Sequence, residues 1–132
     1  MNTQHKPTYI SLFSSAGVGC YGFKMAGFDC IATNELLERR LNIQRYNQKC
    51  KYPGGYICGD ITQEQTKKLL YDQLELWKAK EHLSRVDVVI ATPPCQGMSI
   101  ANQKKNDTEI VRNSLVVESI KIIQKINPRF FV

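Results

Sequence analysis

Two stretches of this chain hold residue types in patterns that packing alone does not call for. The first is "VVIATPPCQGMSIAN" (88–102), where Cys95 follows two prolines at the end of an apolar run. Pro93 and Pro94 fix two φ angles and remove two amide donors, so the backbone reaches the thiol with little freedom. A packing cysteine would sit within the apolar run. A cysteine beyond a rigid step is better suited to nucleophilic attack, which requires a thiolate or a nearby proton acceptor. The following "QGMSIANQKKND" has the small, polar composition of a loop that can close over a substrate. It carries Lys104 and Lys105, which could meet phosphate, although paired loop lysines are usually only solvated.

The second stretch is "SSAGVGCYG", in which Gly17, Gly19 and Gly22 satisfy G-x-G-x-x-G between an expected strand and an expected helix. Glycines there allow a tight turn and close approach of the backbone to a nucleotide-like ligand. Glu35, after the next expected strand, is placed to accept hydrogen bonds from ribose hydroxyls. A structural turn and dinucleotide binding are the other readings of the same glycines. Asp60, in "CGDIT", follows a third strand and could accept from an adenine amino group, or could cap the helix that follows; the two roles are compatible.

These residues need a scaffold, and the chain alternates strand and helix patterns to supply one. "TYISLF" (8–13) is β-rich, and a short helix is expected through "FKMAG" after the glycine turn. "FDCIATN" (28–34) reads as a strand, "LLERRLNIQRYNQK" as a surface helix, and Tyr56 to Cys58 as a brief strand. Leu70, Leu74 and Trp77 recur at helical spacing within 63–80, and "VDVVIAT" (86–92) is a continuous apolar run of the kind buried on both faces. Val116, Ile120 and Ile123 mark a last helical stripe before Asn127-Pro128, and "RFFV" starts a further strand. This alternation predicts an α/β fold with a mainly parallel sheet that the chain leaves unfinished.

Composition narrows the class. The 132 residues make one domain or part of one, and no apolar stretch approaches the length of a membrane span. The polar N-terminus lacks a signal-peptide core, which points to the cytoplasm. Five cysteines without a Cys-x-x-Cys pair argue against a disulfide framework or a zinc knuckle. The net charge of +6 suits a polyanionic partner without requiring one.

Taken in order, the motifs resemble those of the N-terminal, cofactor-binding part of the cytosine-5 DNA methyltransferases. "LFSSAGVGCYGFKMAGF" looks like their first motif, "NE" at 34 and 35 the second, "GDIT" the third, "PPCQG" the catalytic fourth and "RNSL" at 112–115 the fifth. The resemblance implies a Rossmann-like class I methyltransferase sheet, present as an N-terminal half, with S-adenosylmethionine as cofactor and duplex DNA as partner in restriction-modification. It implies that Phe13, Ala16, Gly17 and Gly19 contact the cofactor, Glu35 its ribose, and Asp60 and Ile61 its adenine. Pro94 and Leu115 complete that pocket. By the same resemblance Cys95 attacks C6 of an extruded cytosine. Cys20, where many members have glycine, and Leu36, where an aromatic sometimes stacks on adenine, depart from the pattern. The sequence reaches Val132 before the family's Glu-Asn-Val motif, its later arginine motif, its target-recognition region and its closing helix. A second polypeptide supplying those parts is therefore expected, and the chain alone should be nearly inert. The alternatives are a noncatalytic remnant that only binds cofactor and a relative acting on RNA. A dehydrogenase would leave the Pro-Pro-Cys step without a purpose.

Overall fold

A computed structural model describes residues 5–94 and 114–132 in full and the backbone of 107–113. Cys95, Lys104 and Lys105 lie outside the described residues, as do the side chains of Arg112 and Asn113. The elements run β1 (Thr8–Leu12), a 3-10 turn (Val18–Cys20), α1 (Tyr21–Met25), β2 (Asp29–Glu35), α2 (Glu38–Tyr46) and β3 (Tyr56–Cys58). There follow α3 (Glu64–Glu81), β4 (Val88–Ala91), α4 (Asp107–Ile126) and β5 (Phe130–Phe131).

All pairings among the five strands are parallel, in the order β3-β2-β1-β4-β5. The expected α/β class and parallel sheet are therefore present. β1 is central and every residue of it is buried, Thr8 and Ser11 included. Those two polar side chains are tolerated because each is bonded: Thr8 Oγ1 to Asp87 Oδ2 at 3.2 Å, and Ser11 Oγ to Cys20 Sγ at 3.1 Å.

Strand alternation divides the core between the two faces of the sheet. On one face Ile10, Leu12 and Val89 pack with Leu70, Leu74 and Trp77 of α3 and Ile122 of α4. On the other, Tyr9, Cys30 and Val88 pack with Cys20 and Phe23. Tyr9 and Phe23 stack at 4.8 Å between ring centroids, and Phe28 meets both edge-on.

Several expectations need adjusting. The short helix starts at Tyr21, earlier than "FKMAG", and Glu35 is the last residue of β2 instead of following it. α2 ends at Tyr46, because Asn47 to Lys49 turn the chain so that Cys50 bridges Cys30. β4 is buried only in its first half, with Ile90 and Ala91 half-buried. On α4, Ile120 is 50% exposed, while Ser119 and Ile122 form the buried face. Ser119 can be buried because its hydroxyl donates to the Leu115 carbonyl, 2.8 Å away, one turn back. A hydropathy reading cannot foresee a serine on the core face.

Candidate functional site

The order β3-β2-β1-β4-β5 reverses direction at β1: the chain first builds outward through β2 and β3, then returns to place β4 on the other side. In open α/β sheets, ligands bind outside the carboxyl ends of the strands at such a switch point. Leu12 pairs with both Asn34 and Ala91, and Glu35 with Cys58, so the carboxyl ends of β1 to β4 lie along one edge. A cavity of about 460 Å³ opens there. Phe13, Glu35, Asp60, Ile61, Pro94 and Leu115 all line it. Six of the ten site residues expected from sequence thus meet around one space.

The turn after β1 is held in an unfavourable shape. Phe13 has φ 55° and Ser15 φ 51°, left-handed values that non-glycine residues rarely adopt, followed by Gly17 at 84°. Such conformations persist only when their surroundings over-determine them. Thr92 Oγ1 donates to the Phe13 carbonyl at 3.1 Å, and the Ser14 amide donates to the Asn34 carbonyl at 3.1 Å. The Ser15 amide donates to Glu35 Oε2 at 2.8 Å.

Glu35 is only 5% exposed, yet its carboxylate has three donors: the Ser15 amide, the Leu37 amide at 3.2 Å and Arg40 Nη1 at 3.3 Å. Those donors hold the Glu35 side chain at the cleft wall. A carboxylate can accept about four hydrogen bonds, so capacity is left for a hydroxyl in the cleft. Arg40 of α2 also lines the cavity; sequence reasoning missed it, because five residues spanning a strand end, a turn and a helix start have no periodic signal.

Asp60 Oδ1 accepts from both the Thr62 amide at 2.9 Å and the Thr62 hydroxyl at 2.8 Å. It therefore closes the turn before α3 and does not cap the helix, whose first flanking residue is Gln63. The turn is pinned from β2, because Asn34 Nδ2 donates to the carbonyls of Ile57 and Gly59 at 3.0 and 3.1 Å. Ile61 is buried at the base of the cavity, and Leu36 is 62% exposed at its rim.

The remaining expected residues separate from this group. Ala16 and Gly17 line a smaller cavity of about 230 Å³ on the α1/α2 side of the turn, and Gly19 lines neither cavity. Of the three glycines, the chain itself requires only Gly17: its φ is positive, and a Cβ there would come 3.0 Å from Gln44 Cγ. A Cβ at Gly19 or Gly22 would meet nothing within 4 Å among the described residues. Cys20 points away from the cleft into the core beneath β1, which accounts for a small side chain other than glycine at that place.

Cys30 and Cys50 behave as core residues, whereas Cys58 is exposed at the end of β3. Cys30 and Cys50 are buried with their sulfurs 3.6 Å apart. Burial opposes a Cys30 thiolate, but the Cys50 thiol donating to it and the Lys49 ammonium bring its pKa below the ordinary thiol value. Cys50 is pushed up by its bond to Cys30 and by burial.

The geometry suits a nucleoside-bearing molecule. It offers an apolar slot formed by Phe13, Ile61, Pro94 and Leu115, a buried carboxylate on one wall and a second acid at the end of β3. Comparison with known proteins gives this fit a context. The family model for C-5 cytosine-specific DNA methylase matches residues 8–132. The Type II methyltransferase M1.HgaI of Avibacterium volantium is 34% identical over 127 residues, covering 93% of this chain and 32% of the relative. M1.HphI of Haemophilus parahaemolyticus is 33% identical, covering 95% of this chain and 31% of its own length. The chain therefore spans about a third of the length of these relatives. A crystal structure described as a DNA modification methyltransferase encoded within an E. coli prophage superposes with a TM-score of 0.66 at 23% identity, covering 96% of this chain and 31% of that one. YwfH, an NADPH-dependent reductase of bacilysin biosynthesis, superposes at 0.53 with 16% identity, covering 92% of this chain and 49% of that one. Those two likenesses concern the fold, which a methyltransferase and a reductase share.

Proposed function

The chain belongs to the C-5 cytosine-specific DNA methylase family, and from that premise we propose that it forms the cofactor-binding and nucleophile-bearing part of an enzyme that methylates C5 of cytosine in duplex DNA. The single observation carrying this reading is the convergence of Phe13, Glu35, Asp60, Ile61, Pro94 and Leu115 on one cavity at the sheet's switch point. Pro94 lines the cavity, and Cys95 is the next residue in the sequence.

The residues fit S-adenosylmethionine, which when bound supplies an electrophilic methyl group. Glu35, held at the cleft wall, would accept from the ribose hydroxyls. Asp60 has its Oδ1 engaged with Thr62 and would turn Oδ2 to the adenine amino group. Ile61 and Leu115 would sandwich the base. Ala16, Gly17 and Gly19 would meet the cofactor through the backbone of the turn, not through the larger cavity's walls.

Cys95 would act on the nucleobase. Its thiolate adds to C6 of a cytosine turned out of the duplex, forming a carbon–sulfur bond and placing the displaced electron pair at C5. Once the methyl group has passed to C5, leaving the cofactor as its neutral thioether, a base would take the C5 proton, and that electron pair would restore the C5–C6 double bond and expel the thiolate. A reducing cytoplasmic setting suits a free nucleophilic thiol. Addition at C6 also needs an acid at N3, and the family's pattern puts that group in a Glu-Asn-Val motif beyond Val132. We place it, with target recognition, in a further region of the same polypeptide or in a second chain.

The test uses the full-length protein or reconstituted complex with S-adenosylmethionine and a duplex carrying 5-fluorocytosine. A covalent protein–DNA adduct is expected with the native sequence, and none with Cys95→Ala. Undiminished methylation of ordinary duplex DNA by Cys95→Ala would sink the proposal.

A further inference from the structure

The turn to which the cofactor contacts were assigned above is gripped from two sides, one of them by Glu35. On the other side lies Gln44 of α2, which is 1% exposed. Its Nε2 donates to Ser14 Oγ at 2.8 Å and to the Ser15 carbonyl at 2.5 Å, and its Cγ fills the space left by the missing Cβ of Gly17. Its Oε1 accepts from Lys49 Nζ at 3.0 Å and lies 2.7 Å from the Thr33 hydroxyl. Lys49 also donates to Thr33 Oγ1 at 3.0 Å, and among the described residues it makes no ion pair with a carboxylate. These contacts fix which way the amide faces. Reversed, it would set N–H groups against an ammonium and an oxygen against the Ser15 carbonyl, leaving donor and acceptor unpaired in a buried place.

From this geometry we propose that Gln44, oriented by Lys49, is a positioning residue for the cofactor turn. Glu35 holds the amide before Ser15 and Gln44 holds the carbonyl after it, so both peptide units flanking the left-handed Ser15 are fixed. A turn already in its bound shape spares the ligand the cost of ordering it. This inference rests on the cofactor reading above.

The experiment compares full-length wild type with Gln44→Met, which keeps the packing against Gly17 but has no N–H donors, and with Lys49→Met, which removes only the orienting ammonium. Two readouts are taken well below each melting temperature. The first is calorimetric affinity for S-adenosylmethionine; the second is amide hydrogen exchange over residues 14–19 without ligand. Gln44→Met should raise Kd about tenfold, equivalent to about 1.4 kcal/mol, and speed exchange in 14–19 but not in β1 or β2. Lys49→Met should do the same more weakly, about threefold in Kd. If Gln44→Met fails to fold, Lys49→Met decides by the same two readouts. An unchanged Kd, or exchange that rises uniformly across the sheet, would reduce Gln44 to ordinary packing and overturn the proposal. If wild type itself does not bind S-adenosylmethionine, the cofactor reading fails, while local exchange at 14–19 still decides whether the clamp exists.

Discussion

At the level of single residues, the cleft shows one carboxylate serving two purposes. Glu35 anchors the strained Ser15 turn through its Oε2 and receives Arg40 and the Leu37 amide on Oε1. Replacing it by glutamine keeps the shape but removes the charge and turns one acceptor into a donor facing other donors. Hydrogen bonds to charged groups contribute about 1.5–3 kcal/mol, so Glu35→Gln should weaken S-adenosylmethionine binding at least about tenfold and also lower the melting temperature. Calorimetry and thermal unfolding on the same samples check both, and a variant that loses neither would remove Glu35 from the site. Glu35 and Asp60 could be singled out as cleft candidates because an acid at the end of a strand has few packing roles, and both line the cavity. Gln44 was not, since a neutral amide amid "RRLNIQRYNQK" looks like surface, and only the fold reveals its burial beneath the turn.

Among elements, the long helix α3 was legible from end to end because Leu70, Leu74 and Trp77 all face the core, with exposures of 0%, 6% and 1%. α4 was legible in its existence and its end at Asn127-Pro128 but not in its start or orientation, since the bonded Ser119 takes a core position that the stripe assigned to isoleucine. What sequence could not show is how the two helices are tied across the sheet's face. Lys67 of α3 lies 2.8 Å from Glu118 of α4, with side chains 15% and 17% exposed, and Lys121 approaches the same carboxylate at 3.2 Å. The bond to Lys67, then that to Lys121, hold the Glu118 carboxyl below its ordinary 4.5. A depressed carboxyl contributes stability that is complete above the unfolded value and is lost as pH falls through the folded one. Wild type should therefore lose stability on acidification below about pH 4.5 by at most about 1 kcal/mol from this group, given its partial exposure. Glu118→Gln should be less stable at pH 7 and show a correspondingly flatter acid limb in urea titrations. An identical acid limb in both proteins would show that the pair does not couple the helices.

For the molecule as a whole, sequence alternation was enough to foresee a parallel α/β sheet, because strand and helix signals follow one another along the chain and each parallel pair needs a crossover. Strand order was not encoded locally; it emerges from which crossovers bury both faces of β1. One consequence appears at the sheet's margin. β5 is held to β4 through the Val132 amide to the Val89 carbonyl at 3.0 Å and the Ala91 amide to the Val132 carbonyl at 2.9 Å. Its Phe130, Phe131 and Val132 nevertheless remain 69%, 68% and 73% exposed. An outer strand of large apolar residues is a template for association unless covered. The 132-residue polypeptide studied by itself should therefore self-associate at concentrations on the order of 100 µM, and a Phe130→Ser, Phe131→Lys double variant should shift it toward monomer in sedimentation equilibrium. Neither residue lines the cleft, so the variant should retain whatever affinity for S-adenosylmethionine the unaltered polypeptide has. If the unaltered polypeptide stays monomeric across that range, the β5 margin is not adhesive, and an association surface has to be sought elsewhere, first along the exposed Val18, Tyr21 and Met25 beside the glycine turn.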